Sequence, residues 1–252
     1  MKKRYGSNAG FTLLEIVIIV AVMAILAAAI TPSVLRQIVD AKVVATRASA
    51  RAIYEGMVGK ADTKGSYGFL GDMGRLPTEV KELVFAPQGV TLAGNNHNFR
   101  GLTMGWNGPY LTVGESRDDI GKDAWNNEFR LIGTGQVRSA GPDGVFDDED
   151  DIVYPTEAPK LGGRVLASVK RLNADAEPPT TDPTGYEVRM YYATNGQEAF
   201  LTASVAPFTF ENVYPGLHAI AVVRTASGQV VAQDTIEVPA GGSKLVELTF
   251  RP

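Results

Sequence analysis

A cluster of acidic side chains between residues 143 and 151 offers the densest metal-binding chemistry in the chain. Six of these nine residues are acids: Asp143, Asp147, Asp148, Glu149, Asp150 and Asp151. Crowded carboxylates repel one another unless water or a cation separates them, and calcium takes about six to eight oxygen ligands. The spacing is not that of an EF-hand loop. The residues alone leave two interpretations open, a calcium-binding loop and a solvated acidic turn.

Catalytic chemistry finds little support. The chain has two histidines, His97 in an Asn-rich loop and His218 in a predicted strand, and it has no cysteine. Neither histidine has the spacing of a zinc pair or accompanies a nucleophile motif. Paired acids could imitate a glycosidase dyad, but no sugar-binding cleft is apparent. We therefore expect that the protein is not an enzyme, and that something other than disulfides stabilises its loops.

One further carboxylate, Glu15, lies in an apolar segment of membrane length. Fifteen uninterrupted apolar residues follow it, from Ile16 to Ile30. Residues 11–30 would form a helix about 30 Å long, which matches the hydrocarbon core of a bilayer. An ionised acid at that depth costs about 2.5 to 3.5 kcal/mol, so such a residue usually has a partner and a function.

The charge distribution sets the orientation. The basic residues Lys2, Lys3 and Arg4 precede the apolar segment, which predicts a cytoplasmic N-terminus and an exported remainder. The net charge is −4, and losing these three cations would make it −7. An acidic chain argues against nucleic-acid binding. The alternatives are a plain signal anchor and a secretory signal that is cut near Ala27 to Ala29. The second is disfavoured because Pro32 and a helical pattern directly follow that cleavage site.

The N-terminal segment resembles the class III leader of type IV pilins and pseudopilins. It reads Gly10-Phe11-Thr12-Leu13-Leu14-Glu15 before the apolar helix. The resemblance implies that a prepilin peptidase cuts between Gly10 and Phe11 and methylates the Phe11 amine. It makes Glu15 the fifth mature residue and Pro32 the twenty-second, where the family often has a helix-disrupting proline. Phe11, Glu15 and Pro32 are then the assembly residues, because Glu15 can neutralise the amine of a neighbouring subunit.

A helical pattern continues to about Val58. Its apolar positions recur mostly every three or four residues and predict a stripe packed on the exported domain: Val34, Ile38, Ala41, Ala45, Ala48, Ala52 and Ile53. The glycine-rich stretch 59–74 predicts a loop. A short helix is expected after Pro77, within residues 75–83; a similar turn and short helix follow the long helix in pilins.

An aromatic block predicts short strands joined by turns, with Trp106, Tyr110, Trp125 and Phe129 as core anchors. Aromatic stacking on a ligand is the alternative. With the leader, the order of Trp106-Asn107-Gly108-Pro109-Tyr110-Leu111, Asp123-Ala124-Trp125-Asn126 and a glycine-containing acidic loop resembles the major pseudopilin of type II secretion. Ala124 and Asn126 depart from the proline and glycine of that family's middle motif.

The same resemblance turns the acidic residues into an expected calcium site. It implies three carboxylate ligands, from Asp143, Asp150 and Asp151. It also implies backbone carbonyl ligands from Ala140 and Asp148. Bound calcium would supply the stabilisation that disulfides cannot give in this chain.

The residue pattern changes at Pro155 to Pro159 to short apolar strands and turns, and we place a domain boundary there. Six strands are expected beyond it: 164–170, 186–193, 209–213, 218–224, 230–238 and 244–250. Their spacing predicts a small antiparallel β-sandwich. Residues 208–219 are similar to the motif of carboxypeptidase-regulatory-like, transthyretin-like domains, which implies a structural or adhesive appendage.

The sequence as a whole therefore predicts an α+β protein. A long N-terminal helix, with a membrane half and an amphipathic half, packs on a small β-rich pseudopilin domain, and an antiparallel β-sandwich follows. The predicted parts are leader 1–10, helix 11–58 with 11–31 transmembrane, pseudopilin domain 59–154, linker 155–163 and sandwich 164–252.

The resemblance implies a structural subunit of a type II secretion pseudopilus, a homo-oligomeric helical filament. Its expected partners are the prepilin peptidase, the inner-membrane assembly platform, minor pseudopilins and, before assembly, the membrane itself. We expect a single-pass inner-membrane protein with periplasmic globular domains, and after assembly a filament in the periplasm or at the cell surface. The alternatives are a type IV pilin of a surface filament and a membrane-anchored calcium-dependent binding module that never polymerises.

Overall fold

A computed structural model describes residues 11–60, 67–90, 92–93, 102, 104–112, 120–172 and 184–251, without the side chains of 29–32. The chain divides into two units, Met1–Val44 and Ala45–Pro252. The predicted leader, 1–10, and His97 lie outside the described residues.

The first helix, α1, runs from Leu13 to Val58 and confirms the predicted long helix. Residues 11–28 are all exposed. Within the described part, α1 is the one helix long and apolar enough to cross a membrane. The C-terminal part of α1 belongs to the unit Ala45–Pro252 and contributes Ala50, Ile53 and Met57 to its core.

The predicted stripe on the second half of α1 is wrong except for Ile53. Ala45, Ala48 and Ala52 are exposed, and the buried face carries Thr46 and Ala50 instead. Alanine is compatible with either face, so its spacing fixes the side of a helix poorly. Thr46 is buried because its Oγ1 accepts a hydrogen bond from the Ala124 N–H at 3.2 Å.

The first part of Ala45–Pro252 builds around that helical face. Helix α2 spans Gly68–Met73, and a 3-10 helix spans Val80–Leu83. Strands β1 (Arg130–Ile132), β2 (Gln136–Ser139) and β3 (Ile152–Tyr154) form an antiparallel sheet. The loop predicted across 59–74 is wrong at α2, whose buried Phe69, Leu70 and Met73 outweigh its glycines.

The four predicted aromatic anchors differ in how deeply they are buried. Phe129 is buried in the core, with Trp106 and Tyr110 partly buried against it. The Trp106 indole N–H donates to the Glu82 carbonyl at 2.8 Å. Trp125 is partly exposed and does not belong to this cluster.

The remaining strands form two sheets around one core. Their bounds are β4 (Gly163–Arg171), β5 (Tyr186–Thr194), β6 (Gln197–Ala203), β7 (Phe208–Val213), β8 (Gly216–Arg224), β9 (Val230–Val238) and β10 (Ser243–Phe250). One sheet has the order β10-β4-β7 and the other β6-β5-β8-β9. Apolar residues of both sheets share a cluster that includes Val165, Phe208 and Ile220.

All six predicted strands are present, and two features differ from prediction. Strand β6 was missed, because its residues are mostly exposed and lack a buried alternation. The pairing of β4 with β10 is parallel, from Ser243↔Arg164 to Phe250↔Arg171, so the sheet is mixed rather than antiparallel. A strand pattern predicts a buried face but not the direction of the neighbouring strand.

The second sheet also packs on α2, and glycine permits the close approach. Gly74 ends α2 with φ +66°, and a Cβ there would lie 1.7 Å from the Ala193 carbonyl oxygen of β5. The Gly196 N–H donates to the Met73 carbonyl at 3.1 Å. Beside this contact, Leu102 and Met104 cover Tyr191 and its neighbours on the outer face of the sheet.

Candidate functional site

The N-terminal region of α1 carries the features expected for assembly. Its large side chains are strongly exposed, from Phe11 at 73% to Leu26 at 55%. Glu15 lies in the first turn, where a negative charge interacts favourably with the positive end of the helix dipole. We name residues 11–26 the assembly segment. An apolar surface of this extent must be covered by lipid or by other subunits.

Thr12 stabilises the start of α1, a role that was not predicted from the sequence. Its Oγ1 accepts a hydrogen bond from the Glu15 N–H at 3.2 Å, which caps the helix start. The Thr-x-x-Glu spacing of a capping box was the available signal. The cap fixes the backbone of Glu15 one turn from Phe11, so the two groups predicted to pair between subunits have defined positions at the start of the helix.

Two other predicted residues are less informative here. Gly10 lies outside the described residues. Pro32 lies within α1, which continues through it, and its side chain is not among those described. Their roles in cleavage and in assembly stay predictions.

The second candidate site is the acidic loop, residues 141–151. Carboxylate oxygens of Asp143, Asp148 and Asp150 lie within 4.8 Å of one another. The structure therefore brings together two predicted carboxylate ligands, Asp143 and Asp150. It adds the side chain of Asp148, from which only a backbone carbonyl was expected. The Asp150 carboxyl raises the pKa of Asp148 by sharing a hydrogen bond with it, the expected effect of crowded acids.

Asp151 lies apart from this cluster in a more buried setting. Its side chain is 6% exposed, and its Oδ2 lies 3.4 Å from Arg138 Nη1 and accepts the Asp147 N–H at 2.8 Å. Its Oδ1 is buried without a hydrogen-bond partner among the described residues. A buried carboxylate oxygen without a donor is costly, and a cation is one group that would satisfy it.

Two arginines hold the outer part of the loop. Asp147, with φ +75°, forms ion pairs with both Arg130 and Arg138. The Arg130 guanidinium also stacks over the Phe146 ring at 3.9 Å. These contacts fix one side of the loop to strands β1 and β2, which leaves Asp143, Asp148 and Asp150 on the exposed side.

The base of the loop is joined to the preceding turn. Asp123 is buried; its Oδ2 accepts the Ser139 hydroxyl at 2.6 Å, and its Oδ1 accepts the Asn127 N–H at 2.9 Å. The Asn127 amide donates to the Gly141 carbonyl at 2.9 Å. Gly141 approaches the loop so closely that a Cβ there would lie 2.6 Å from the Asp150 carbonyl oxygen.

This network explains one departure from the pseudopilin motif. Asn126, which stands where that family has glycine, has φ +73°. Asparagine is one of the few side chains that tolerate this left-handed conformation. Asn126 therefore allows the turn that places Asp123 and Asn127 against the loop.

The donor set suits calcium. Three clustered carboxylates form the hard-oxygen environment that this ion prefers. Nitrogen and sulfur ligands are absent from the cluster, which disfavours zinc. The expected carbonyl ligands, Ala140 and Asp148, stay predictions.

Comparison with known families supports the first site. Residues 6–31 match the family model described as the prokaryotic N-terminal methylation motif. The match contains Gly10, Phe11 and Glu15; it supports a type IV pilin-like family, and a motif of this kind generally implies processing by a prepilin peptidase and assembly into filaments. A single apolar helix behind this motif is consistent with a membrane-anchored, single-pass protein. No curated protein matches the chain.

Proposed function

We propose that the chain is a structural subunit of a type II secretion pseudopilus. The observation that carries the proposal is the methylation motif at residues 6–31, joined to an assembly segment that is exposed throughout and bears one carboxylate. After cleavage between Gly10 and Phe11 and methylation of Phe11, the protein remains anchored in the inner membrane until it assembles. It then polymerises through α1 with its compact unit in the periplasm.

The assembly step depends on pairing two charges. The new amine of Phe11 and the carboxylate of Glu15 are each unfavourable in an apolar environment, and pairing between neighbouring subunits offsets part of both costs. The Thr12 cap supports this step because it fixes Glu15 at the helix start. The pair would set the axial register of one subunit against the next.

The other proposed partners follow from this role. They are the prepilin peptidase, the assembly platform of the inner membrane, minor pseudopilins and further copies of this chain. Calcium, bound by Asp143, Asp148 and Asp150, would stabilise the acidic loop in the periplasm. We propose a structural role for the ion and no catalytic activity.

A substitution at Glu15 tests the assembly mechanism. Glu15→Ala should leave cleavage and methylation unchanged and greatly reduce the chain recovered in sheared filaments, because the Phe11 amine loses its partner. Asp40→Ala, which removes an exposed acid elsewhere on α1, should behave as the parent does. Normal filament yield from Glu15→Ala would refute the pairing mechanism.

Calcium binding is tested by thermal unfolding of the fragment Ala45–Pro252. Calcium should raise its Tm, and Asp143→Ala combined with Asp150→Ala should abolish the rise. Glu149→Ala is the matched control, since Glu149 is an exposed acid of the same loop outside the cluster. An unchanged parent Tm, or a rise that survives the double substitution, would count against the site.

A type IV pilin of a surface filament is the second candidate. It is favoured by the apolar side chains that the sandwich exposes, including Phe200 at 50% and Val205 at 79%. Such residues suit contact with another surface. Filaments containing this chain on the cell surface, together with normal protein export in its absence, would select this function over the first.

A further inference from the structure

Within the part of the chain that the structure describes, strand β6 is an edge strand without the usual protection. Among the described residues its strand partner is β5, and its other side has no strand. Seven consecutive residue pairs join it to β5 without a bulge, from Val188↔Ala203 to Thr194↔Gln197. Its one charged residue is Glu198, and it contains no lysine and no proline. Regularly paired edges with few charges offer backbone groups for pairing with another strand.

The other edges of the sandwich carry protective features. The β8–β9 ladder has a bulge at Val222/Val223, and the β4–β7 ladder has one at Gly163/Val165. Strand β10 carries Lys244 and Glu247, and the latter pairs with Lys170 at 2.7 Å. Bulges and charges of this kind hinder edge-to-edge association. Strand β6 therefore differs from the three other edges of the same domain.

Apolar side chains flank the open edge on both faces of the sheet. Phe200 is 50% exposed and Leu201 is 41% exposed. On one face, Phe200 packs against Tyr191 with ring centroids 5.5 Å apart, and the Arg189 guanidinium lies 4.9 Å from its centroid. The aromatic ring is therefore held in place at the edge.

The sequence of β6 complements itself in antiparallel pairing. Phe200 is the central residue of Gln197–Ala203, so a two-fold axis at Phe200 pairs all seven residues of two copies. Glu198 of the second copy then lies opposite Thr202, whose neighbour on β5 is Arg189. Residues directly opposite each other on neighbouring strands share a face, so Glu198 of the second copy lies on the same side as Arg189 and would join the ion pair that Arg189 forms with Glu187. Any register displaced from Phe200 leaves residues of β6 unpaired.

We propose that two copies of this chain associate through their β6 strands, which pair antiparallel about Phe200 to form one continuous eight-stranded sheet. The occupant of the edge is thus a second copy of the chain. This association is separate from polymerisation through α1, and it would link two subunits laterally through their C-terminal sandwiches.

Cysteine cross-linking tests the proposal and its register. The chain has no cysteine, so each introduced thiol is unique. In the full-length protein in detergent under mild oxidation, Phe200→Cys should give disulfide-linked dimers, because residues opposite each other have Cα atoms about 5 Å apart. Thr202→Cys alone should give only background, since its two copies lie about 14 Å apart, at about 3.4 Å per residue. A mixture of Glu198→Cys and Thr202→Cys should cross-link and leaves Phe200 intact.

Two controls separate this contact from others. Thr235→Cys, exposed on β9, reports collisions or association through α1 and should give background dimer. Phe200→Lys places two lysines opposite each other, so it should convert the dimer to a monomer whose circular dichroism spectrum stays that of the folded parent. Val205→Lys, more exposed and outside β6, should remain dimeric. A monomeric parent, equal cross-linking at 200, 202 and 235, or a dimer that survives Phe200→Lys would overturn the proposal.

Discussion

Asp72 predicts an unusual pH dependence of stability. It lies at the end of α2 with its side chain partly buried, and its Oδ2 accepts the Tyr110 hydroxyl at 2.9 Å. Burial raises the pKa of Asp72 from 3.8 to about 6, and hydrogen bonds from Tyr110 and Asn107 oppose that rise. The folded protein therefore retains the proton over a range of pH in which the unfolded chain has released it.

The sign and size follow from linkage. Between about pH 4 and pH 6 the folded state binds more protons than the unfolded state, so the free energy of unfolding falls as pH rises. A pKa raised from 3.8 to about 6 corresponds to about 3 kcal/mol lost above pH 6. Asp72→Asn keeps a hydrogen-bond acceptor for Tyr110 but carries no charge. Its stability relative to the parent should rise by about 2.4 kcal/mol between pH 4 and pH 7.5, because part of the effect is already present at pH 4.

Urea unfolding of the fragment Ala45–Pro252 at a series of pH values measures this difference. Titration of the acidic loop affects parent and variant alike, so it cancels in the comparison. Tyr110→Phe serves as the control, because it removes a hydrogen bond that lowers the pKa of Asp72 and should move the midpoint of the effect above about pH 6. A constant difference between Asp72→Asn and the parent at every pH would refute the reasoning.

Two more predictions concern the contact between α2 and the sheet β6-β5-β8-β9, and the region between the two sheets formed by β4–β10. Gly74→Ala should cost at least about 3 kcal/mol, because it adds left-handed strain to a clash with the Ala193 carbonyl. Gly89→Ala, also at positive φ but with open space around it, should cost about 1 to 2 kcal/mol, so similar Tm losses for the two variants would contradict the packing argument. Burial lowers the pKa of His218, so the parent should lose stability as pH falls through about 6.5, where the unfolded chain protonates first. His218→Gln should remove this loss of stability. If the dependence of stability on pH is the same in the variant as in the parent, His218 is not the group responsible.

The sequence predicted most where one pattern had one structural meaning. Residues 11–58 combine an apolar run with helical spacing, and α1 follows within two residues. The alternating strands of the two sheets formed by β4–β10 carry a buried face, and all six expected strands are present. The clustering of Asp143 with Asp150 involves residues singled out from the sequence, although their role as ligands is a proposal.

The structure differs from the sequence-based predictions where tertiary contacts determine the local conformation. Strand β6 has no buried face to produce an alternation, and β5 recruits it by backbone pairing. The glycines of α2 suggested a loop, but burial of Phe69 and Met73 stabilises a helix there. The parallel partner of β4 comes from the far end of the chain, and no local pattern specifies such a pairing. Asp151 looked like its acidic neighbours in sequence, and only the fold sets it beside Arg138.

The central claim, a role in protein export, is tested most directly by the extracellular protein profile of a strain that lacks this chain, compared with its parent and with a strain in which the gene is restored. A pseudopilus subunit predicts that exported enzymes disappear from the medium and accumulate in the periplasm of the deletion strain, with recovery on restoration. An unchanged extracellular profile would contradict the secretion role and would assign the chain to a surface filament.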